Sequence, residues 1–162
     1  MNTVGLIGLG AMGAGIAHTL RSHGYEVHVC DVRPGVADAF VVQGGVAHAS
    51  PADVAAACAV VVSVVVNAAQ TEAVLFGEQG CLSRIARGAV ILCCATIAPE
   101  AARGLERRIA DAGFLMLDSP VSGGKVGAHA GTMTVMGSGS DAAFAKAGPV
   151  LDAISTKVWR LG

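Results

Sequence analysis

The sequence predicts an α/β fold with a doubly wound, mostly parallel sheet and mixed strands toward its C-terminal end. Short Val- and Ile-rich blocks alternate along the 162 residues with Ala-rich stretches of helical periodicity, which is typical of strand–helix–strand units. The blocks at 60–66 and 89–95 are apolar at almost every position. Apolar runs of this length indicate strands that are covered on both faces by helices.

The first half of the chain alternates predicted strands and helices. Ile16 and Leu20 lie on one face of the first helix, and Gly24 is a natural stop for it. Pro34 suits the first position of a second helix, and Ser50 suits the N-cap of a third. The predicted strands here are 3–8, 26–32 and 45–49, and the predicted helices are 11–23, 34–43 and one that begins at Pro51.

The second half of the chain continues this alternation and then departs from it. Strands are predicted at 60–66, 89–95 and 114–118, with a helix at 100–112 before the last of them. After Pro120 the segment 122–131 contains four glycines and is predicted to be a loop. The remaining predicted elements are a strand at 132–136, a helix at 140–153 and a short strand at 157–161.

Composition narrows the classes of function. Hydrophobic residues make up 53% of the chain and charged residues 14%, which excludes a disordered protein. The formal charge is −1 and there is no basic block, so we expect neither nucleic acid nor a membrane surface as a partner. The longest apolar runs, 54–66 and 88–98, are shorter than the roughly 20 residues that span a bilayer. No transmembrane segment is therefore expected.

The five cysteines are expected to be structural. Neither they nor the five histidines show the spacing of a zinc site, so no metal is predicted. Cys93 and Cys94 are adjacent in a predicted strand, where neighbouring side chains point to opposite faces and pack. Reduced, buried thiols are typical of a cytoplasmic protein, and that location is predicted.

The strongest motif is the glycine turn, GLGAMG at 8–13, between the first strand and the first helix. Gly8 permits a tight turn, Gly10 lets the backbone approach a pyrophosphate, and Gly13 lets the helix lie close to the strand. The free N–H groups and the positive dipole end of that helix then face the phosphates. The motif predicts a dinucleotide site in a Rossmann-type fold.

An acidic residue after the second strand indicates which dinucleotide is bound. Asp31 follows Gly13 by eighteen residues and ends that strand. A carboxylate there accepts hydrogen bonds from the adenosine ribose hydroxyls and repels a 2′-phosphate, which favours NAD. Arg33 is able to pair with a 2′-phosphate, so NADP stays open as the alternative.

Three segments together carry a family resemblance. They are the glycine turn, ATIAP at 95–99 and DSPVSGG at 118–124, the last followed by GA at 127–128 and GT at 131–132. With them the chain resembles, along its whole length, the β-hydroxyacid dehydrogenase family, which includes 3-hydroxyisobutyrate, 6-phosphogluconate and tartronate-semialdehyde enzymes. Within the family it is most similar to the branch that acts on four-carbon sugar acids such as threonate.

The resemblance implies the cofactor domain of an NAD-dependent enzyme that transfers hydride between nicotinamide and a small hydroxy acid. The resemblance also implies that a serine hydroxyl and backbone N–H groups bind the substrate carboxylate. Both are hydrogen-bond donors, which suit an anion. The implied residues are Gly8, Leu9, Gly10, Ala11, Met12 and Gly13 at the pyrophosphate, Asp31, Val32 and Arg33 at the adenosine ribose, Val65, Val66 and Asn67 beside the cofactor, Thr96 near the nicotinamide ribose, and Ser122, Gly123 and Gly124 at the substrate.

The chain departs from the family pattern in several places. Val66 stands where the family usually has proline, and Cys93 and Ala95 stand where Asp and Ser often precede the threonine. The family's catalytic lysine lies in a second, all-helical domain that begins about where this chain ends. The resemblance therefore implies no catalytic residue within 1–162, an isolated chain without turnover, and a homo-oligomer for the full-length enzyme.

Other interpretations share part of the pattern. A non-catalytic dinucleotide-sensing module needs the glycine turn but not the Ser-Gly-Gly segment. An S-adenosylmethionine methyltransferase also has a glycine-rich turn after its first strand, but Gly13 and the helix behind it favour a dinucleotide. Lys125 follows the predicted substrate loop, and a lysine in a glycine-rich surface turn is normally solvated, so a general-acid role is not assigned to it.

Overall fold

The structure, a computed structural model, describes residues 2–162. Its strands are β1 (Thr3–Ile7), β2 (Glu26–Cys30), β3 (Val46–Ala47), β4 (Val60–Ser63), β5 (Val90–Cys93), β6 (Leu115–Asp118), β7 (Val121–Ser122), β8 (Met133–Gly139) and β9 (Ser155–Arg160). Its helices are α1 (Ala11–Ser22), α2 (Val36–Val41), α3 (Pro51–Ala57), α4 (Ala68–Phe76), α5 (Pro99–Asp111), α6 (Gly124–Ala130) and α7 (Asp141–Ile154), with a 3₁₀ turn at Cys81–Ser83.

The strands form a mostly parallel sheet in the order β3-β2-β1-β4-β5-β6-β8-β7, with β9 beside β8. The strands from β3 to β6 pair in parallel, whereas β8 is antiparallel to β6 and β7 and parallel to β9. The predicted Rossmann-type α/β fold with mixed C-terminal strands is confirmed. Because β2 and β4 flank β1 on opposite sides, the chain direction across the sheet reverses there, and such a switch point opens a crevice at the carboxyl ends of the strands.

Helices cover both faces of the sheet, as the continuously apolar strands predicted. Neighbouring residues of one strand enter different cores: Val61 belongs to one and Val62 to the other, and both side chains are fully buried. One core contains Ile16 and Leu20 of α1, and the opposite core contains Leu105 of α5. The sheet thus lies between two apolar layers, which holds the carboxyl ends of its strands in fixed positions.

The predicted loop at 122–131 is wrong. The structure forms β7 there and then α6, which packs against α1. A Cβ at Gly15 would lie 2.9 Å from the Cβ of Ala128, so the two helices approach closely because Gly15 has no side chain. The Thr19 hydroxyl lies 2.8 Å from the Ala128 carbonyl oxygen and 2.9 Å from that of His129 and donates to the end of α6. This packing outweighs the low helix propensity of glycine.

Side-chain caps position several helices. The Ser50 hydroxyl accepts a hydrogen bond from the N–H of Asp53 (3.2 Å), which confirms the predicted cap of α3. Asn67 and Ser140 cap α4 and α7 in the same way. No prediction covered α4 or the 3₁₀ turn, and β9 begins at Ser155, two residues before its predicted start.

The cysteines are buried and make no disulfide. Cys93 and Cys94 enter opposite cores, as predicted. Burial raises the pKa of four thiols to about 12, so these thiols remain protonated and pack as apolar groups. The four are Cys30, Cys58, Cys81 and Cys94. Within residues 2–162 no helix is both long and apolar enough to cross a membrane.

Candidate functional site

The glycine turn lies in the crevice where β1, β2 and β4 end. The N–H of Gly8 donates to the carbonyl oxygen of Cys30 (3.0 Å), which joins the turn to β2. The N–H of Val64 donates to the carbonyl oxygen of Ile7 (2.8 Å), which joins the end of β4 to β1. Three strand ends therefore hold the turn in place.

The three glycines of the turn serve different purposes. Gly8 has a φ of +94°, and a Cβ there would overlap the carbonyl oxygen of Val64. A Cβ at Gly13 would overlap the carbonyl oxygen of Gly8. Gly10, in contrast, has an extended backbone and nothing within 4 Å of the position of its missing Cβ. The fold itself needs Gly8 and Gly13, whereas Gly10 leaves open space in front of α1 that a phosphate group fits.

Among the described residues, no side chain caps the N-terminus of α1. Gly10 is the N-cap and makes no side-chain hydrogen bond, and no acidic residue lies in the first turn. Since the first N–H groups of a helix have no intrahelical acceptor, the start of α1 presents free donors and the positive end of the helix dipole. An anion in the space beside Gly10 would satisfy both.

Asp31 lies at the end of β2 and contacts the glycine turn directly. Its Oδ2 accepts hydrogen bonds from the N–H of Leu9 (2.7 Å) and from Nη2 of Arg33 (3.0 Å). Its Oδ1 accepts from the N–H and Nε of Arg33, both at 2.9 Å. The Arg33 side chain, together with the two backbone N–H groups, lowers the pKa of Asp31 from 3.8 to about 2. The carboxylate is therefore ionised at neutral pH.

Arg33 occupies the acceptors that a ribose would use. A carboxylate offers about four lone-pair sites, and in this structure all of them have donors. The Arg33 side chain is 57% exposed and the Asp31 side chain only 5%, so the arginine covers the carboxylate from the solvent side. Ribose hydroxyls would reach Asp31 when the Arg33 guanidinium moves aside.

The other predicted cofactor residues follow the carboxyl ends of successive strands. Val32 is fully exposed after β2, and Val66 is 79% exposed after β4. Asn67 caps α4 through its Oδ1, which accepts from the N–H of Gln70 at 2.9 Å. Thr96 is exposed after β5, and Val65, before Val66, is partly buried against the sheet. The structure brings these residues to the carboxyl ends of the parallel strands, where the glycine turn also lies.

The predicted substrate residues lie at the junction of β7 and α6. Ser122 pairs with Thr134 in the sheet and is exposed. Gly123 and Gly124 have φ values of +138° and +62°, a backbone that favours glycine at both positions. Since Gly124 begins α6, the segment is held by a helix that packs on α1, not by a free loop.

A cavity of about 850 Å³ extends from the glycine turn along the exposed side of α1. Most of this surface was not predicted from the sequence, although the spacing of Ala11, Ala14 and His18 indicates one exposed helix face. The rings of His18 and His129 stack across α1 and α6 with centroids 4.1 Å apart. Among the described residues, those that line the cavity are Leu9, Gly10, Ala11, Ala14, Gly15, His18, Arg33, Gln43, Lys125, Val126, His129 and Ala130, and none is acidic.

Comparison with known proteins agrees with this geometry. Residues 3–162 match the NAD binding domain of 6-phosphogluconate dehydrogenase. The chain is 50% identical over 159 residues to an L-threonate dehydrogenase of Cupriavidus necator, an alignment that covers 98% of this chain and 54% of that protein.

Two solved structures show the same fold. The crystal structure of 3-hydroxyisobutyrate dehydrogenase from Salmonella typhimurium superposes with a TM-score of 0.93 at 37% identity, over 99% of this chain and 56% of that one. The structure of Psf3 in complex with NADP+ and 2-OPP has a TM-score of 0.92 at 30% identity, over 98% and 56%. The chain thus spans about half the length of these relatives.

Proposed function

Because the chain belongs to the family of NAD binding domains of 6-phosphogluconate dehydrogenase, we propose that it binds NAD as the cofactor domain of a dehydrogenase for a small hydroxy acid. The observation that carries the proposal is the open space at Gly10, in front of an uncapped helix N-terminus. A pyrophosphate there accepts hydrogen bonds from the first N–H groups of α1. The residues proposed to surround the pyrophosphate are Gly8, Leu9, Gly10, Ala11, Met12 and Gly13. The N–H groups of Gly8 and Leu9 already donate within the protein, so these two residues shape the site without donating to the phosphate.

The adenosine end of the cofactor is assigned to the end of β2. Asp31 is ionised and accepts hydrogen bonds from the two ribose hydroxyls once the Arg33 guanidinium moves aside. The same negative charge repels a 2′-phosphate, which favours NAD over NADP. Val32, fully exposed beside Asp31, offers apolar surface to the adenosine.

The nicotinamide end is assigned to the opposite side of β1. Val65, Val66 and Asn67 follow β4, and Thr96 follows β5. We propose that these four residues line the crevice between the glycine turn and the substrate residues. Val66 replaces the proline usual in the family. Its exposed side chain provides apolar surface there without the fixed backbone of proline.

The substrate is proposed to be a hydroxy acid, with L-threonate or a related sugar acid as the leading candidate because of the 50% identical relative. The Ser122 hydroxyl and the N–H groups of Gly123 and Gly124 are the donors for its carboxylate. When bound, NAD supplies the hydride acceptor. No residue of 1–162 is assigned to the hydroxyl proton, which we assign to a lysine of a second, helical domain outside this chain.

Three properties of the whole protein follow from this assignment. The 162-residue chain alone has no appreciable turnover, since the proton-transfer group lies elsewhere. The full-length enzyme is a homo-oligomer of the kind its family forms. The five free, buried thiols suit a reducing compartment, and we place the protein in the cytoplasm.

Calorimetric titration of the 162-residue chain with NAD and with NADP tests the proposal. We expect saturable binding with NAD preferred, and a loss of about tenfold or more in affinity for Gly10→Ala, which corresponds to about 1.4 kcal/mol. Gly104→Ala is the matched control: this glycine also has open space at its Cβ position, but it lies on α5. Absence of binding by the unaltered chain at millimolar NAD would reject the proposal.

A further inference from the structure

Lys125 is a basic residue that lines the cavity beside the glycine turn. It is exposed in the first turn of α6, and within residues 2–162 its side chain makes no hydrogen bond or ion pair. Arg33, which lines the same cavity, is paired with Asp31 at 2.9 Å. Of these two permanent cations on the cavity wall, Lys125 is therefore the one whose charge the described chain leaves uncompensated.

The packing of α6 on α1 fixes where Lys125 stands. Gly15 lets the two helices approach until a Cβ would lie 2.9 Å from the N–H nitrogen of His129. The Thr19 hydroxyl, at 2.8 Å from the Ala128 carbonyl oxygen, ties the end of α6 to the middle of α1. Since α1 also begins at the glycine turn, the position of Lys125 relative to that turn is set by a rigid contact between two helices.

The lining of the cavity indicates which ligand Lys125 faces. Gly10 and Ala11 line the cavity together with Lys125, whereas Ser122 and Gly123, the proposed carboxylate donors, do not. Lys125 therefore shares its cavity with the proposed phosphate site and not with the proposed carboxylate donors. A dinucleotide carries two negative charges on its pyrophosphate, and the partial charge of a helix dipole, roughly +0.5, balances only part of them.

We propose that Lys125 is a further cofactor-binding residue, which contacts the pyrophosphate from α6, across the cavity that it lines together with Gly10 and Ala11. The inference rests on the proposed dinucleotide function and adds to it a charged contact that no backbone group of the glycine turn supplies. An ammonium on a flexible stem suits this role because it approaches a phosphate as a point charge.

Titration of the 162-residue chain with NAD, ADP-ribose and adenosine tests the contact. For Lys125→Met we expect a dissociation constant for NAD and for ADP-ribose that is raised about three- to tenfold, the range of a charge-assisted contact at an exposed site. Adenosine, which has no phosphate, should bind both proteins equally. Lys125→Arg should restore most of the affinity, and Lys146→Met, an exposed lysine on α7 outside the cavity, should change nothing.

The outcomes separate this inference from the proposed function. If the unaltered chain binds NAD and Lys125→Met binds it equally well, the inference is wrong and the function stands. If the unaltered chain does not bind NAD, the function itself is wrong. If Lys125→Met weakens the binding of adenosine as much as that of NAD, the inference is also wrong, because the substitution then has a general effect on the fold. A melting temperature of Lys125→Met that is lowered enough to explain the loss of affinity would overturn the inference for the same reason.

Discussion

At the scale of single residues, the fold requires Gly13, whereas Gly10 is required only by the proposed ligand. A Cβ at Gly13 would overlap a backbone carbonyl oxygen, whereas a Cβ at Gly10 would meet nothing. We expect Gly13→Ala to lower the free energy of unfolding by about 1–3 kcal/mol, as overpacking does. Gly10→Ala should change it by no more than about 1 kcal/mol, the scale of an N-cap effect. Urea denaturation of both variants measures the difference, and equal destabilisation would contradict the assignment.

The ionisation of Asp31 makes stability depend on pH in a defined window. Its pKa in the folded chain is about 2, below the ordinary value of 3.8, because the Arg33 side chain and two backbone N–H groups stabilise the carboxylate. A lowered pKa contributes stability that is fully present above the ordinary value and is lost as the pH falls through the folded one. Between pH 4 and 2 we therefore expect the unfolding free energy to fall less steeply in Asp31→Asn than in the unaltered chain. If the unfolding free energies of the two proteins fall in parallel with pH, the Asp31 carboxylate does not contribute to the pH dependence of stability.

Arg33 opposes Asp31 in the choice of cofactor. Its guanidinium donates to both oxygens of the Asp31 carboxylate, and we expect it to turn to a 2′-phosphate when NADP binds. We expect Arg33→Ala to weaken NADP about tenfold, as loss of a charge-assisted contact does, and to leave NAD binding unchanged or stronger. The ratio of the two dissociation constants is the quantity to measure, and a ratio that does not change would exclude Arg33 from the selection.

At the scale of elements, the contact between α1 and α6 positions the segments proposed to bind cofactor and substrate. A methyl group at Gly15 would press on Ala128 and on the backbone of His129, both at 2.9 Å. We expect Gly15→Ala to lower the free energy of unfolding by about 1–3 kcal/mol and to weaken NAD binding as α6 moves away. Gly104→Ala on α5, with open space, is the control and should raise the free energy of unfolding by up to about 1 kcal/mol, because alanine favours the helix more than glycine does. A Gly15→Ala variant as stable as that control would show that the two helices do not need their close approach.

The same contact explains where prediction from sequence failed. Four glycines within ten residues indicate a loop, and only the partner surface on α1 shows why the segment is helical. The helix depends on the contact between Gly15 and Ala128, which are 113 positions apart in the chain. A local sequence pattern does not reveal such a distant contact. Strands such as β4 and β5 were predictable because their apolar runs report burial on both faces directly.

At the scale of the whole molecule, every proposed cofactor residue lies at the carboxyl ends of the parallel strands. Sequence motifs located the glycine turn and Asp31, since those residues have fixed spacing relative to β1 and β2. The family resemblance was confirmed by the match over residues 3–162. The cavity along α1, with Lys125 and the stacked histidines, was not predictable, because it arises from the way α6 lies against α1.

We expect the proposed activity to need more than this chain. The proposed donors of the crevice serve phosphates and a carboxylate, and no residue of 1–162 is assigned to the hydroxyl proton. The relatives extend to about twice the length matched here. A longer protein that adds a helical domain with a lysine over the crevice would complete the site, and the chain alone should bind cofactor without turning over substrate.

The most direct test of the central claim is a titration of the isotopically labelled chain with NAD, followed by amide NMR. We predict saturable shifts of the N–H resonances of Ala11, Met12 and Gly13, together with those around Asp31 as Arg33 is displaced. Gly10→Ala should need about tenfold more NAD, or more, to reach the same shifts, while its spectrum remains that of a folded protein. Unchanged resonances at the start of α1, or shifts confined to a distant surface, would contradict the account.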